Sequence, residues 1–353
     1  MPLLATARLL AARVTPLRSR HEILPFDMFG VQYDADAARR ADKLGNIYHR
    51  GQDLAWRGQK VLAELLAKHG GVQLRPEARP ALGYVLGVLM WGELAAWKIA
   101  AQLADSLVEL PVKLAATSQA HDEARHFYVL YDYLKELGYT PPPLDRQTRM
   151  LLASTLRTRD PVKKVMGMQL MIEALALTIF QALRESAVEP VATELLRYFE
   201  KDEARHVGLG MQYLPSQLRR LSRRRAAELL AFQIELTVAA LLELKAMEPH
   251  LRVLGISARQ VFLLGTTKQA LALDLLWQED GGRSQALYPT FGRLLAALGQ
   301  LLFPDARPGQ GSLRQAMAAV RAAVRTFRAG LAGEVPESSL DPEAPPVRPS
   351  AIW

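Results

Sequence analysis

The chain contains no cysteine, so a disulfide, a thiolate nucleophile, a cysteine-ligated zinc and an iron–sulfur cluster are all excluded. Any chemistry runs on carboxylates, imidazoles or hydroxyls. Aromatic residues are few, at 7% of the whole, and β-branched or aromatic runs of period two are scarce, which argues against a sheet. No secretory pattern precedes the first charged residues and no uninterrupted apolar run reaches spanning length, so a cytoplasmic location is expected. Acid is missing from the start of the chain, where Arg8, Arg13, Arg18 and Arg20 all precede Glu22. The same Ala/Leu/Arg bias runs on through the rest, so this stretch reads as an arm packed on the domain rather than as an organelle transit segment.

What is present is a 353-residue chain, half hydrophobic and 23% charged, with the composition of a globular protein and enough length for a sizeable core. Its net charge of +8 is compatible with nucleic acid, an anionic surface or an acidic protein, and chooses none of them; no nucleic acid is expected. One cluster stands out: Arg219, Arg220, Arg223, Arg224 and Arg225. It reads first as a solvated helix face and second as a dock for an acidic partner.

Apolar residues recur at helical spacing from residue 53 to residue 333, which makes this an all-α chain. Breaks are expected at Gly70–Gly71 with Pro76 and Pro80, at Pro141–Pro143, at Pro215, at Gly281–Gly282 and from Pro304 to Gly311, dividing it into about eight to ten helices. The organisation that follows is an N-terminal arm (1–52), a four-helix bundle with a preceding helix (53–215), additional helices packed on the bundle (216–333) and a Pro-rich tail (334–353).

The chain repeats itself. Glu93 precedes Asp122-Glu123-Ala124-Arg125-His126, and eighty residues later Glu173 precedes Asp202-Glu203-Ala204-Arg205-His206 at the same separation. The midpoints fall at Val108 and Val188, and just past them Pro111 and Pro190 stand where a proline opens a second helix. Each half is therefore an antiparallel helical hairpin, with its two ends about 22 Å from the turn, so that Glu93 faces Glu123 and Glu173 faces Glu203. Glu123 and His126, like Glu203 and His206, are three apart and share a helix face. Two such hairpins packed together bring four carboxylates and two imidazoles into one apolar core, and two divalent cations neutralise that charge while keeping positions open. Iron is the leading metal, with manganese or a mixed pair second and zinc disfavoured. Asp122 and Asp202 are placed to take the second ring N–H of each histidine across the helix pairs, with Arg125 and Arg205 holding the aspartates.

These residues resemble the ferritin-like di-iron carboxylate proteins of the ribonucleotide reductase small-subunit type. That group includes monooxygenase hydroxylases, acyl-carrier-protein desaturases and p-aminobenzoate N-oxygenases, and the likeness covers residues 80 to 215. The resemblance implies ligands at Glu93, Glu123, His126, Glu173, Glu203 and His206, and reductive activation of dioxygen at a diferrous centre to oxidise an organic substrate. Departures narrow it. Leu130 stands where a radical-generating subunit carries tyrosine, with Tyr128 and Tyr131 on other sides. Phe199 replaces the extra histidine of the N-oxygenases, and Leu177, followed by Thr178, replaces the threonine of the monooxygenases.

Residues one turn from the ligands, Leu89, Ala96, Trp97, Leu130, Leu170, Leu177 and Phe180, are apolar and form the candidate pocket for a small apolar or aromatic substrate. Tyr133 and Tyr213 each follow their histidine by seven and are either hydrogen-bonded core residues or electron relays. Without cysteine the electrons come from an external reductase or ferredoxin, and the Arg219–Arg225 cluster suits such an acidic partner or an acyl carrier protein. The later helices wall a pocket or make a homodimer. The competing expectation is an iron-handling or storage bundle with no organic substrate.

Overall fold

The computed structural model describes residues 35–280 and 288–304, with parts of 317–325. Among these residues the protein is entirely helical. The helices are α1 (Ala35–Asp53), α2 (Gly58–His69), α3 (Arg79–Ser106), α4 (Leu110–Leu137), α5 (Arg146–Arg157), α6 (Pro161–Val165), α7 (Glu173–Ser186), α8 (Pro190–Leu218), α9 (Arg223–Val253), α10 (Ala258–Asp280) and α11 (Tyr288–Leu302). Between α6 and α7 the chain runs through a π-helical stretch, Met166–Ile172, without leaving the helix.

Two hairpins form the middle of the molecule: α3 with α4, and the α6–π–α7 rod with α8. Each turns where the sequence places a proline, with Pro111 and Pro190 in the first turn of α4 and α8. Lys113 closes the first turn by donating to the carbonyls of Ala104, Asp105 and Leu107, each at 2.7 Å, which satisfies acceptors the end of α3 leaves open. The second turn is closed by Glu189, whose carboxylate accepts from the Ala192 N–H at 2.7 Å. The remaining helices wrap these hairpins: α1 and α2 lie on α4 and α8, α9 on α3 and α5, and α10 on α7 and α8.

The breaks at Gly70–Gly71 and at Pro141–Pro143 occur as expected, the first through left-handed Gly70 (φ 69°) and the second within a connection that opens at left-handed Gly138 (φ 72°). Pro215 does not break its helix. It lies inside α8, which ends three residues later at Leu218, and α9 starts behind the Ser222 cap. A proline in the last turn forfeits one backbone bond, and burial of Leu214, Pro215 and Leu218 holds that turn in place. Residues 35–52, read from sequence as part of an arm, are helix. The expected breaks at Gly281–Gly282 and between Pro304 and Gly311, the tail and residues 1–34 fall outside the described residues, apart from Pro304 itself.

Two hydrophobic clusters sit at opposite ends of the hairpins. One includes Leu82, Leu86, Tyr133, Phe180 and Phe199; the other includes Ile99, Leu103, Val112, Met166 and Leu214. The sequence positions between them on α3, α4 and α8 are the polar ones, so the polar layer lies where one cluster gives way to the other. Two stretches, Pro76–Ser106 and Pro161–Ser186, are long and apolar enough to cross a membrane by length and composition, with 56% and 78% of their most apolar windows buried in the fold. Each carries one glutamate of that polar layer, Glu93 or Glu173.

Candidate metal centre

The four helices bring Glu93, Glu123, His126, Glu173, Glu203 and His206 together, all buried. They form two overlapping groups, Glu93–Glu123–His126–Glu203 and Glu123–Glu173–Glu203–His206, in each of which one ligand-capable atom per residue lies within 4.8 Å of the rest. Glu123 and Glu203 belong to both. The His126 Nδ1 stands 3.3 Å from Glu93 Oε2 and 3.1 Å from Glu203 Oε1. The His206 Nδ1 stands 3.1 Å from Glu123 Oε1 and 2.9 Å from Glu203 Oε2. Both imidazoles therefore turn Nδ1 inward and Nε2 outward.

The outward nitrogens cross between the hairpins. His126 Nε2 meets Asp202 Oδ2 at 3.0 Å and His206 Nε2 meets Asp122 Oδ2 at 3.3 Å. Arg125 bonds both Asp122 and Asp202, and Arg205 does the same, reaching Asp122 at 2.9 Å and Asp202 at 2.7 Å. Burial alone would push the Asp202 carboxyl up, but the hydrogen bond and charge of His126, with Arg205, hold it below the usual carboxylate range. Burial would likewise lower both imidazoles, yet the surrounding carboxylates raise His126 and His206 well above the ordinary histidine value. Glu93 and Glu173 are pushed well up, first by burial and then by their fellow glutamates.

Several participants escaped the sequence reading. Gln119 donates to Glu173 Oε1 at 2.6 Å and to Glu123 Oε1 at 2.9 Å, and Gln169 donates to Gln119 at 2.8 Å. Each glutamine stands four residues before a glutamate of the cluster, Glu123 or Glu173, and that spacing was the available signal. Neither has a counterpart in the other half: position 119 repeats as Phe199, whose ring stacks on His126 with centroids 4.3 Å apart. Trp56 Nε1 donates to Asp202 Oδ2 at 2.8 Å while its ring lies under the Arg125 guanidinium. Nothing in the repeat pointed to the linker between α1 and α2, where Trp56 lies. Gly210 makes the space for Gln169, since a Cβ there would lie 2.7 Å from the Gln169 Cβ. Gly210→Ala is therefore expected to cost about 1–3 kcal/mol of stability by overpacking, measured by denaturant titration.

The seven candidate pocket residues do not line one pocket. Leu89 and Ala96 line a small cavity with Glu93 and Glu173, Leu170 lines an apolar crevice under α9 and α10, and Leu177 lines a wide basic groove beside Arg184 and Lys268. Leu130 and Phe180 are packed solid in the core. Trp97 is 39% exposed, because it shares the outward stripe of α3 with Lys98 and Ala101. One turn along a helix keeps a residue on the ligand's side, but the neighbouring helix decides whether it meets a cavity, a packed core or solvent. Tyr133 donates to Glu189 Oε2 at 2.8 Å, Tyr213 is buried in the second cluster, and Tyr128 and Tyr131 are exposed. Thr178 turns its hydroxyl back to the Ala174 carbonyl. Arg220, Arg223, Arg224 and Arg225 are exposed, with Arg225 tied to Asp160 at 2.7 Å.

The arrangement suits cations. Glu123 Oε2, Glu203 Oε1 and His126 Nδ1 are buried and accept or donate no hydrogen bond, a costly state for a polar group unless something else satisfies it. Asp122 and Asp202 are balanced by Arg125 and Arg205, which leaves the four glutamates and the inward nitrogens as the donors of the layer. These buried Glu/His groups can hold a metal ion. No protein-family description matches this chain, and no curated protein matches its sequence.

Proposed function

We propose that the four central helices form a ferritin-like bundle around a two-metal centre, and that the protein is an oxygen-dependent di-iron oxidase acting on an apolar or aromatic small molecule. Hydroxylation, N-oxygenation and desaturation are the reactions in this class. The observation that carries the reading is the doubled ligand set sharing Glu123 and Glu203, each half with its imidazole anchored by the aspartate of the other. Glu93, Glu123, His126 and Glu203 would hold one ion, and Glu123, Glu173, Glu203 and His206 the other; manganese or a mixed pair fits the same N/O donors. Iron bound there supplies reductive activation of dioxygen. The protein's part is to fix the ligands: Asp202 and Asp122 hold the proton on each outward Nε2, leaving Nδ1 free to ligate. The apolar clusters on either side keep bulk water from the layer. Electrons come from an external reductase or ferredoxin, with the exposed arginines of the Arg219–Arg225 cluster as its dock or that of an acyl carrier protein.

The test is anaerobic loading of metal-free protein with ferrous iron followed by rapid mixing with oxygen, read by absorbance and Mössbauer spectroscopy. Uptake is expected to stop at two irons per chain and to yield a coupled diferric product. Uptake that continues far beyond two would replace this reading with iron storage, and failure to bind iron would remove both. Replacing Arg223, Arg224 and Arg225 with glutamate is expected to weaken reductase-coupled turnover and spare peroxide-driven turnover; equal loss of both would sink the dock.

A further inference from the structure

A cavity of about 50 Å³ opens beside the centre, lined by α3, α5, the π stretch, α7 and α9. Its polar lining residues are Glu93 and Glu173, from the ligand set, and Thr148 and Glu243, which the oxidase reading leaves without a role. Glu243 is 2% exposed, in the middle of α9, where an isolated carboxylate is costly. Thr148 Oγ1 donates to its Oε2 at 2.6 Å, while its Oε1 has no hydrogen-bonding donor. Burial, with the charge of nearby Asp145 adding to it, pushes the Glu243 pKa to about 7. Asp145 is half-buried at the start of α5, where it accepts from the Thr148 N–H at 2.8 Å and from the Tyr84 hydroxyl at 3.3 Å. Tyr84 is in turn stacked on His250. Acid–base groups thus run from the surface at Asp145, through Glu243, to the cavity and the two glutamates.

The volume decides what this passage can carry. Ligand pockets measure roughly 300–1,000 Å³, whereas about 50 Å³ holds some three or four waters, for which Glu93, Glu173, Thr148 and Glu243 provide polar partners.

We propose that Glu243 is a proton relay between solvent and the metal centre, loaded from the Asp145 side and discharging through cavity water toward Glu93 and Glu173. In each passage the Glu243 O–H bond breaks toward a water that passes its own proton onward, and the emptied carboxylate takes back a proton delivered from solvent water on the Asp145 side; no electron moves. The use of the proton rests on the oxidase reading, because dioxygen reduction consumes protons. The relay itself belongs to the metal-free chain.

Infrared difference spectroscopy of the full metal-free chain tests it directly. A protonated-carboxyl band is expected below pH 7 and lost above it, absent in Glu243→Gln, and fully exchanged with deuterium as soon as the protein is mixed into heavy water. Asp145→Asn, which keeps a competent helix cap, is expected to slow that exchange about tenfold or more. In iron-loaded protein, Glu243→Gln is expected to slow oxygen-dependent iron oxidation about tenfold or more at unchanged iron stoichiometry. Exchange as slow as that of the α9 amides, or unaltered by Asp145→Asn, would overturn the relay. An unreactive wild-type iron protein would remove the oxidase reading, and the exchange data would still decide the relay.

Discussion

Anaerobic loading with two ferrous ions is expected to raise the thermal midpoint of the chain by at least about 10 °C, with the gap between loaded and metal-free protein widening as pH rises. A ligand at a thousand times its dissociation constant adds about 4 kcal/mol per site, and each kcal/mol moves a domain of this size by roughly 2–4 °C. The pH dependence follows from the direction of the shifts. His126 and His206 are raised in the folded state, so their contribution to metal-free stability is full below the unfolded histidine value and is lost as pH rises through the folded one. Glu93 and Glu173 are raised too, and ionising them in the core removes further stability over the same climb. Glu123 and Glu203 are held low, so their contribution disappears only on the acid side. Metal ions compete with the protons that stabilise the empty cluster, which means binding releases protons and tightens with pH. Scanning calorimetry at several pH values, with a chelator control, reads this out. An absent shift, or a gap that narrows toward alkaline pH, would count against two bound ions.

Asp202→Ala is expected to be the most damaging single substitution outside the ligands. Its carboxylate is the shared partner of Trp56, Arg125, His126 and Arg205, and its removal leaves two largely buried guanidinium groups with Asp122 as their one remaining aspartate partner. Breaking a buried pair on one side costs about 3–5 kcal/mol, roughly a 10 °C fall in midpoint. Asp202→Asn keeps the volume and an acceptor oxygen, so it is expected to fold and to show the other half of the effect: metal affinity down about 10–100-fold, because the His126 tautomer is no longer fixed. Metal titration of the Asn variant beside calorimetry of the Ala variant separates the two roles. Wild-type affinity in Asp202→Asn would mean that the aspartate is a purely structural counter-ion.

The all-helical fold was legible because its cause is local: helical spacing of apolar residues, with glycine and proline where the hairpins turn. The cluster was legible for a stronger reason, since a doubled word at a fixed offset specifies both the faces and the depth at which they meet. What the sequence hid depends on neighbours. Trp56 comes from a linker outside the repeat, Gln169 reaches the cluster only through Gln119, and Glu243 lies seventy residues beyond Glu173 in a helix that looks like any other Ala/Leu/Glu stretch. Trp97 misled because its position on α3 is set by which neighbour covers that stripe. The π stretch Met166–Ile172 adds a residue to a turn with no proline or glycine pair to announce it, and wide turns of this kind recur at functional sites.

The crossed bonds, His126 to Asp202 and His206 to Asp122, have the reciprocity of an isologous contact between two identical subunits. Each half of the chain holds its own imidazole and carboxylates but borrows from the other the group that orients them. Neither half-chain can order its site alone, so the site must form after the hairpins dock, once contacts spanning eighty residues have closed. Local helix formation would precede it, and the polar layer would be among the last parts of the molecule to become native. A chain cut between the hairpins, near Pro141–Pro143, would for the same reason yield two fragments whose strongest claim on each other is the unfinished half-site each one carries.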